Sequence, residues 1–171
     1  EPLPVYLDGR GRSIEKLCVQ LDRVIREHTV DMVALDYVQA FNNDKPQQDK
    51  RNQITYIARK FTDVVKANGR AGLIFSQITR SDDTRKHHPD KHSIRNSRDV
   101  SNAAEVILLG FEPEKAIPDR YGGIVVQAGQ KCLLLDKCKD GPRGKFYPMQ
   151  WSPECACFDA VVSVQPEQVA L

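Results

Sequence analysis

Met32-Val33-Ala34-Leu35-Asp36-Tyr37-Val38-Gln39 decides how this chain is read: four apolar residues, a carboxylate, then an aromatic, an aliphatic and an amide. A short apolar run of this kind suits a strand buried on both faces of a parallel sheet. In open α/β sheets, ligands gather outside the carboxyl ends of the strands, so Asp36 stands where a metal-bound phosphate would lie. A carboxylate there can hold Mg²⁺ through water, because Mg²⁺ keeps much of its hydration shell. On spacing alone, an aspartate that merely caps the next turn is an equal reading.

Outward from this stretch, helices and strands alternate. Upstream, Ser13 can cap a helix in which Ile14, Leu17, Cys18, Leu21, Val24 and Ile25 recur at helical spacing up to about Glu27. Before it, Pro4-Val5-Tyr6-Leu7-Asp8 reads as a short strand and Gly9-Arg10-Gly11 as a turn. Downstream, residues 42–49 form a polar loop. Ile54, Ile57, Ala58, Phe61, Val64 and Val65 make the stripe of a long helix, with Gly69 as its C-cap. Ala71 to Ser76 is a second buried strand, closing on Ser76-Gln77 with Arg80 three residues further on. A glutamine so placed can orient a water or sense a terminal phosphate, or it can simply satisfy exposed backbone groups.

Thr79 to Asp99 has no apolar periodicity. Its Arg80, Arg85, Lys86, Lys91, Arg95 and Arg98 suit a polynucleotide backbone, yet Asp82, Asp83, Asp90 and Asp99 dilute the charge, and on composition alone a solvated loop is the better reading. His-His-Pro-Asp-Lys-His, residues 87–92, lacks helical i, i+4 geometry and any nearby Cys, so zinc is not expected. Val106 to Leu109 is another strand, and Glu112 to Gly123 a loop. Ile124–Ala128, Cys132–Lys137 and Lys145–Trp151 then read as strands, the last after a Gly141-Pro142 turn. The fold class expected is α/β: a mostly parallel sheet flanked by helices, with an antiparallel, β-rich C-terminal end.

Composition narrows the function. The chain has 171 residues, 40% hydrophobic and 28% charged, enough for a packed domain rather than a disordered segment. With 25 Lys+Arg against 23 Asp+Glu, the net charge of +2 makes no global case for nucleic acid. No apolar run approaches the roughly 18 residues of a membrane span, and Glu1-Pro2-Leu3-Pro4 does not resemble a signal peptide. Five cysteines, with Cys155-Ala-Cys157 at the wrong spacing for a redox pair, suit a reducing compartment. A phosphate loop, G-x-x-x-x-G-K-[ST], is missing. Gly141-Pro142-Arg143-Gly144-Lys145-Phe146 comes nearest, but Phe146 stands where the hydroxyl belongs. Lys137-Cys138-Lys139-Asp140-Gly141-Pro142 places two lysines at alternate positions near a turn, able to reach one ligand or simply to form a charged hairpin tip.

In this order the segments resemble the ATPase domain of DnaB-family replicative helicases, over roughly residues 3–153. Residues 32–39 resemble the family's strand ending in D-Y-L-Q. Ser76-Gln77-Ile78-Thr79-Arg80-Ser81 is similar to S-Q-L-[SN]-R with its phosphate-sensing glutamine. Ile94-Arg95-Asn96-Ser97-Arg98-Asp99-Val100, then Ala104-Glu105-Val106-Ile107, resembles the DNA-binding loop L-R-E-S-G-x-I and A-D-V-I. Lys137-Cys138-Lys139-Asp140-Gly141-Pro142-Arg143-Gly144 resembles K-x-R-N-G-P-x-G, which serves the neighbouring subunit's nucleotide.

The resemblance implies a RecA-like fold over residues 1–160, followed by a tail at 161–171. It implies a hexameric ring, ATP with Mg²⁺, and translocation on single-stranded DNA in the cytoplasm of a bacterium or phage host. Asp36, Gln77, Lys137 and Lys139 become catalytic candidates, and these four with Gln39 become nucleotide-binding candidates. Asp36 becomes the Mg²⁺ ligand through water, and Arg95, Asn96 and Arg98 the DNA contacts. Three departures stand out. The phosphate loop and the glutamate expected soon after it are absent. Lys139 replaces an arginine and lacks its planar fork, with Arg143 nearby. Asn96 and Arg98 replace a glutamate and a glycine. The chain is therefore expected to be the C-terminal part of such a domain, inactive in ATP hydrolysis by itself. The competing readings are a RecA-like module that binds DNA or protein without hydrolysis, and a relative among recombinases or clock-type ATPases.

Overall fold

A computed structural model of the chain describes residues 5–9, 13–44, 49–78, 88–90, 93–94, 98–118 and 124–160. They fall into two units, one of residues 1–78 and 94–100, the other of residues 79–93 and 101–171. The tail at 161–171 lies outside the described residues.

In the first unit, the two apolar stripes form α1 (Ile14–Glu27) and α2 (Lys50–Ala67), separated by β1 (Met32–Leu35) and a 3-10 turn at Val38–Ala40. Ser13 occupies the N-cap position, but its hydroxyl makes no cap bond. The helix start is tied down instead by its backbone, with Ile14 N–H donating to Asn42 O at 2.9 Å. Gly69, at φ +63°, ends α2 as expected. Its N–H donates to Lys66 O and that of Arg70 to Val65 O, both at 3.0 Å, satisfying carbonyls the helix leaves open. Ile14, Cys18, Leu35, Val38, Ile54, Ile57, Ala58, Phe61 and Val65 form the core.

β2 (Ala71–Ile74) pairs in parallel with β1, Met32 beside Ala71 and Leu35 beside Ile74. Both strands depart from the expectation of burial on two faces. Leu35 is buried, but Met32 is 59% exposed, and Leu73 and Phe75 are exposed as well. One face packs on the helical core, and the described residues provide no cover for the other. Gly72 permits the close approach on the covered side, since a Cβ there would lie 3.2 Å from Val65 Cγ1 and 3.3 Å from Phe61 Cε1. The strand expected at Pro4–Asp8 is not formed at residues 5–9. Val5 and Leu7 are exposed without a pairing strand, although the Tyr6 ring packs on His28 at 4.9 Å.

The chain passes from one unit to the other within α3 (Arg98–Ala103). The second unit is antiparallel. β3 (Val106–Phe111), β6 (Lys131–Cys138), β7 (Lys145–Ser152) and β8 (Cys157–Ala160) form one sheet in that order. The segment expected as a loop after Glu112 contains β4 (Ile117–Pro118), which pairs with β5 (Ile124–Val126). β8 was not anticipated either; it pairs with β7 after a turn in which Ala156 has φ 51°. Ile117, Val126 and Cys132 form a second small core, with Phe111, Val125 and Phe146 against it. No described helix is long and apolar enough to cross a membrane.

Candidate functional site

The parallel pair sets one group of candidate residues, all in the first unit. Its ladder runs past the strand ends, with Phe75 N–H donating to Leu35 O and Val38 N–H to Phe75 O, each at 2.9 Å. Two consecutive carboxyl ends are thereby held side by side, one leading to Asp36 and the other to Ser76 and Gln77. Asp36 is exposed, and its carboxylate has no hydrogen bond or ion pair among the described residues. A hard, uncommitted oxygen donor in that position fits a water-mediated Mg²⁺ ion.

Gln39 joins the two ends. Its Nε2 donates to Ser76 Oγ at 2.8 Å and to Gln77 O at 3.4 Å, while its Oε1 accepts from Gln77 N–H at 3.3 Å. The amide acts like one more residue of the ladder and fixes the Gln77 main chain. The Gln77 side chain itself is exposed and makes no hydrogen bond among the described residues. Asp36, Gln39 and Gln77 are thus brought to one end of one sheet. Gln39 is the member whose work the sequence did not disclose: both ends of its amide are engaged by protein rather than left for a ligand. Ser76, which it grips, carried no signal beyond its place beside Gln77.

A separate group of candidate residues lies around the β6–β7 turn of the second unit. Lys137 and Lys139, alternate in sequence, are treated differently by the fold. Lys137 Nζ donates to Ser101 O at 3.1 Å and Asn102 O at 2.9 Å, two carbonyls in the last turn of α3. Lys139 fixes its backbone, its N–H donating to Glu105 O at 3.0 Å, and leaves its ammonium exposed. Arg143 is exposed in the same turn. Of the DNA candidates, Arg95 and Asn96 lie outside the described residues, and Arg98 is described only as the first residue of α3. His88, from the histidine-rich run, packs its ring edge-on to Phe146 at 5.2 Å.

Buried thiols complete the chemistry. Burial raises the pKa of Cys18 and of Cys132, so neither is a ready nucleophile, whereas Cys155 and Cys157 are exposed.

Two helices, a parallel pair and an antiparallel sheet make a mixed α/β protein, and its likeness to solved structures is that of a RecA-like fold. The chain belongs to the DnaB-like helicase C-terminal domain family, whose profile matches residues 1–160. Comparison with curated protein sequences gives no match. Among solved structures, a DnaB-like replicative helicase described together with its interactions with primase superposes with a TM-score of 0.70 at 19% identity, over 89% of this chain and 36% of that one. A second structure, described as an ATPase domain, gives 0.67 at 18% identity, over 86% of this chain and 51% of that one. A KaiC-like protein, PH0186 from the hyperthermophilic archaeon Pyrococcus horikoshii OT3, gives 0.58 at 12%, over 86% of this chain and 56% of that one. The chain therefore spans between about a third and just over half of these structures, and at such identities the likeness is one of fold.

Proposed function

We propose that this chain is the portion of an ATP-dependent, DnaB-type replicative DNA helicase that carries Asp36 as the magnesium-binding carboxylate and Gln77 as the phosphate-sensing amide. The observation that supports this is their placement at neighbouring carboxyl ends of the parallel pair, with Gln39 holding the Gln77 main chain. Asp36 would hold Mg²⁺ through water, and Gln77 would orient the attacking water or read the terminal phosphate. When bound, Mg²⁺ neutralises charge on the phosphates. Lys137 and Lys139 would serve a neighbouring subunit's nucleotide in a hexameric ring. Arg95, Asn96 and Arg98 would touch the phosphates of single-stranded DNA. The setting is cytoplasmic.

Without phosphate-loop amides and their lysine, little in these residues would cradle the β- and γ-phosphates, so the chain alone is expected to show no ATP turnover. In a protein joining this chain to a phosphate-loop segment, Asp36→Asn should lower magnesium-dependent turnover about 100-fold or more while the circular dichroism spectrum is unchanged. Turnover at the parental rate would remove Asp36 from the role.

A further inference from the structure

Lys137 does something in this fold that a residue waiting for a phosphate need not do. α3 has six residues, far below the roughly 12–15 at which an isolated helix becomes marginally stable in water. The last four carbonyls of a helix have no partner within it, and a cation near that end is favoured by the helix dipole. Lys137 Nζ supplies both needs, donating to Ser101 O at 3.1 Å and Asn102 O at 2.9 Å. The reach is built in. Lys137 is the register partner of Ile107, on the strand that follows α3 after Ala104 and Glu105, and Lys139 N–H donates to Glu105 O at 3.0 Å on the same connection. Two of the three ammonium hydrogens are committed to α3, and the third is not engaged by any described residue.

We propose that Lys137 is a positioning residue for α3, holding the C-terminal end of the helix whose first residue is Arg98 and so fixing the segment offered to single-stranded DNA. The proposal rests on the functional reading above for its DNA contact. It separates the two lysines: Lys137 ties α3 to β6, and Lys139 is the ammonium left free for an external anion. A phosphate on the remaining Lys137 hydrogen would be linked through one side chain to the end of α3.

The full chain is compared as parent, Lys137→Met, which keeps an apolar stem of similar length, and Lys137→Arg, whose guanidinium can also donate to two carbonyls. Amide hydrogen exchange across residues 98–105 should accelerate about ten-fold in Lys137→Met, return near the parental rate in Lys137→Arg, and be unchanged in β7. Affinity for oligo(dT) at low salt should fall in Lys137→Met, with Arg restoring it. In an Arg98→Ala background the same change should have little further effect, because the contact that Lys137 positions is already gone. Unchanged exchange at 98–105 overturns the proposal. So does an equal affinity loss in both backgrounds, which is what general destabilisation would give. A parent that binds no oligo(dT) sinks the DNA reading and the positioning role with it, while the exchange comparison still decides whether Lys137 clamps α3.

Discussion

Gln39 commits both ends of its amide to the end of β2, and a side chain used that way has a local signature. Gln39→Leu removes the acceptor for Gln77 N–H and the donor to Ser76 Oγ, at 3.3 and 2.8 Å. The loss should be about 1–2 kcal/mol by urea unfolding. Exchange of the Gln77 amide should quicken several-fold, while that of Phe75, bonded to Leu35 O at 2.9 Å, should keep its rate. A uniform acceleration at both amides would mean that the variant loosens the strand pair rather than releasing Gln77. At this scale the strand-end positions of Asp36 and Gln77 were legible in the sequence, because Asp36 directly follows an apolar run and Gln77 follows another with only Ser76 between. The partners of Gln39 and Lys137 were not. Those partners lie 37 or 38 residues from Gln39 and 35 or 36 from Lys137, and nothing in local spacing encodes a hydrogen bond made across a fold.

Among the elements, α1 and α2 were legible because a helical stripe reports its own buried face wherever the chain runs. β1 and β2 were half legible: four apolar residues mark a strand, but whether one or two faces are covered depends on what packs there. Met32 and Leu73 show the difference. β8 escaped because Cys157-Phe158-Asp159-Ala160 is too short to alternate convincingly and follows Pro153. A further tie between α1 and α2 was hidden in a charged residue. Glu15 accepts from Asp44 N–H at 3.1 Å and from the Tyr56 phenol. Desolvation works to raise its pKa, but these bonds and its own amide outweigh it and hold the carboxyl below its ordinary value. The same bond raises the Tyr56 phenol. A lowered folded pKa means that the contribution is present above the unfolded value of about 4.3 and is lost as pH falls through the folded value. Parent should therefore exceed Glu15→Gln in stability at pH 7, by less than about 1 kcal/mol because Glu15 is largely solvated, and the difference should vanish as the carboxylate protonates. A difference that persists at low pH would assign the effect to packing.

At the scale of the whole molecule, the two groups of candidate residues make different demands. Asp36 is proposed to serve the nucleotide held by its own subunit, whereas Lys139, with an exposed ammonium on the β6–β7 turn, is proposed to serve the nucleotide of the next one. Lys139 lacks the bidentate fork of arginine but remains a point charge able to stabilise a phosphate. If the assignment holds, each subunit junction in a ring needs Asp36 from one side and Lys139 from the other. In a protein that also carries a phosphate loop, Asp36→Asn and Lys139→Ala homo-oligomers should each be nearly inactive, the second still binding nucleotide. Mixing them creates junctions in which an unaltered Asp36 faces an unaltered Lys139, alongside junctions that lack both. Partial ATP turnover should therefore return on mixing and depend on the ratio of the two variants. Turnover that stays absent, with subunit exchange demonstrated by labelled protomers, would place Lys139 on its own subunit's nucleotide or on none, and Arg143→Ala in the same mixing assay would then show whether that side chain reaches across instead.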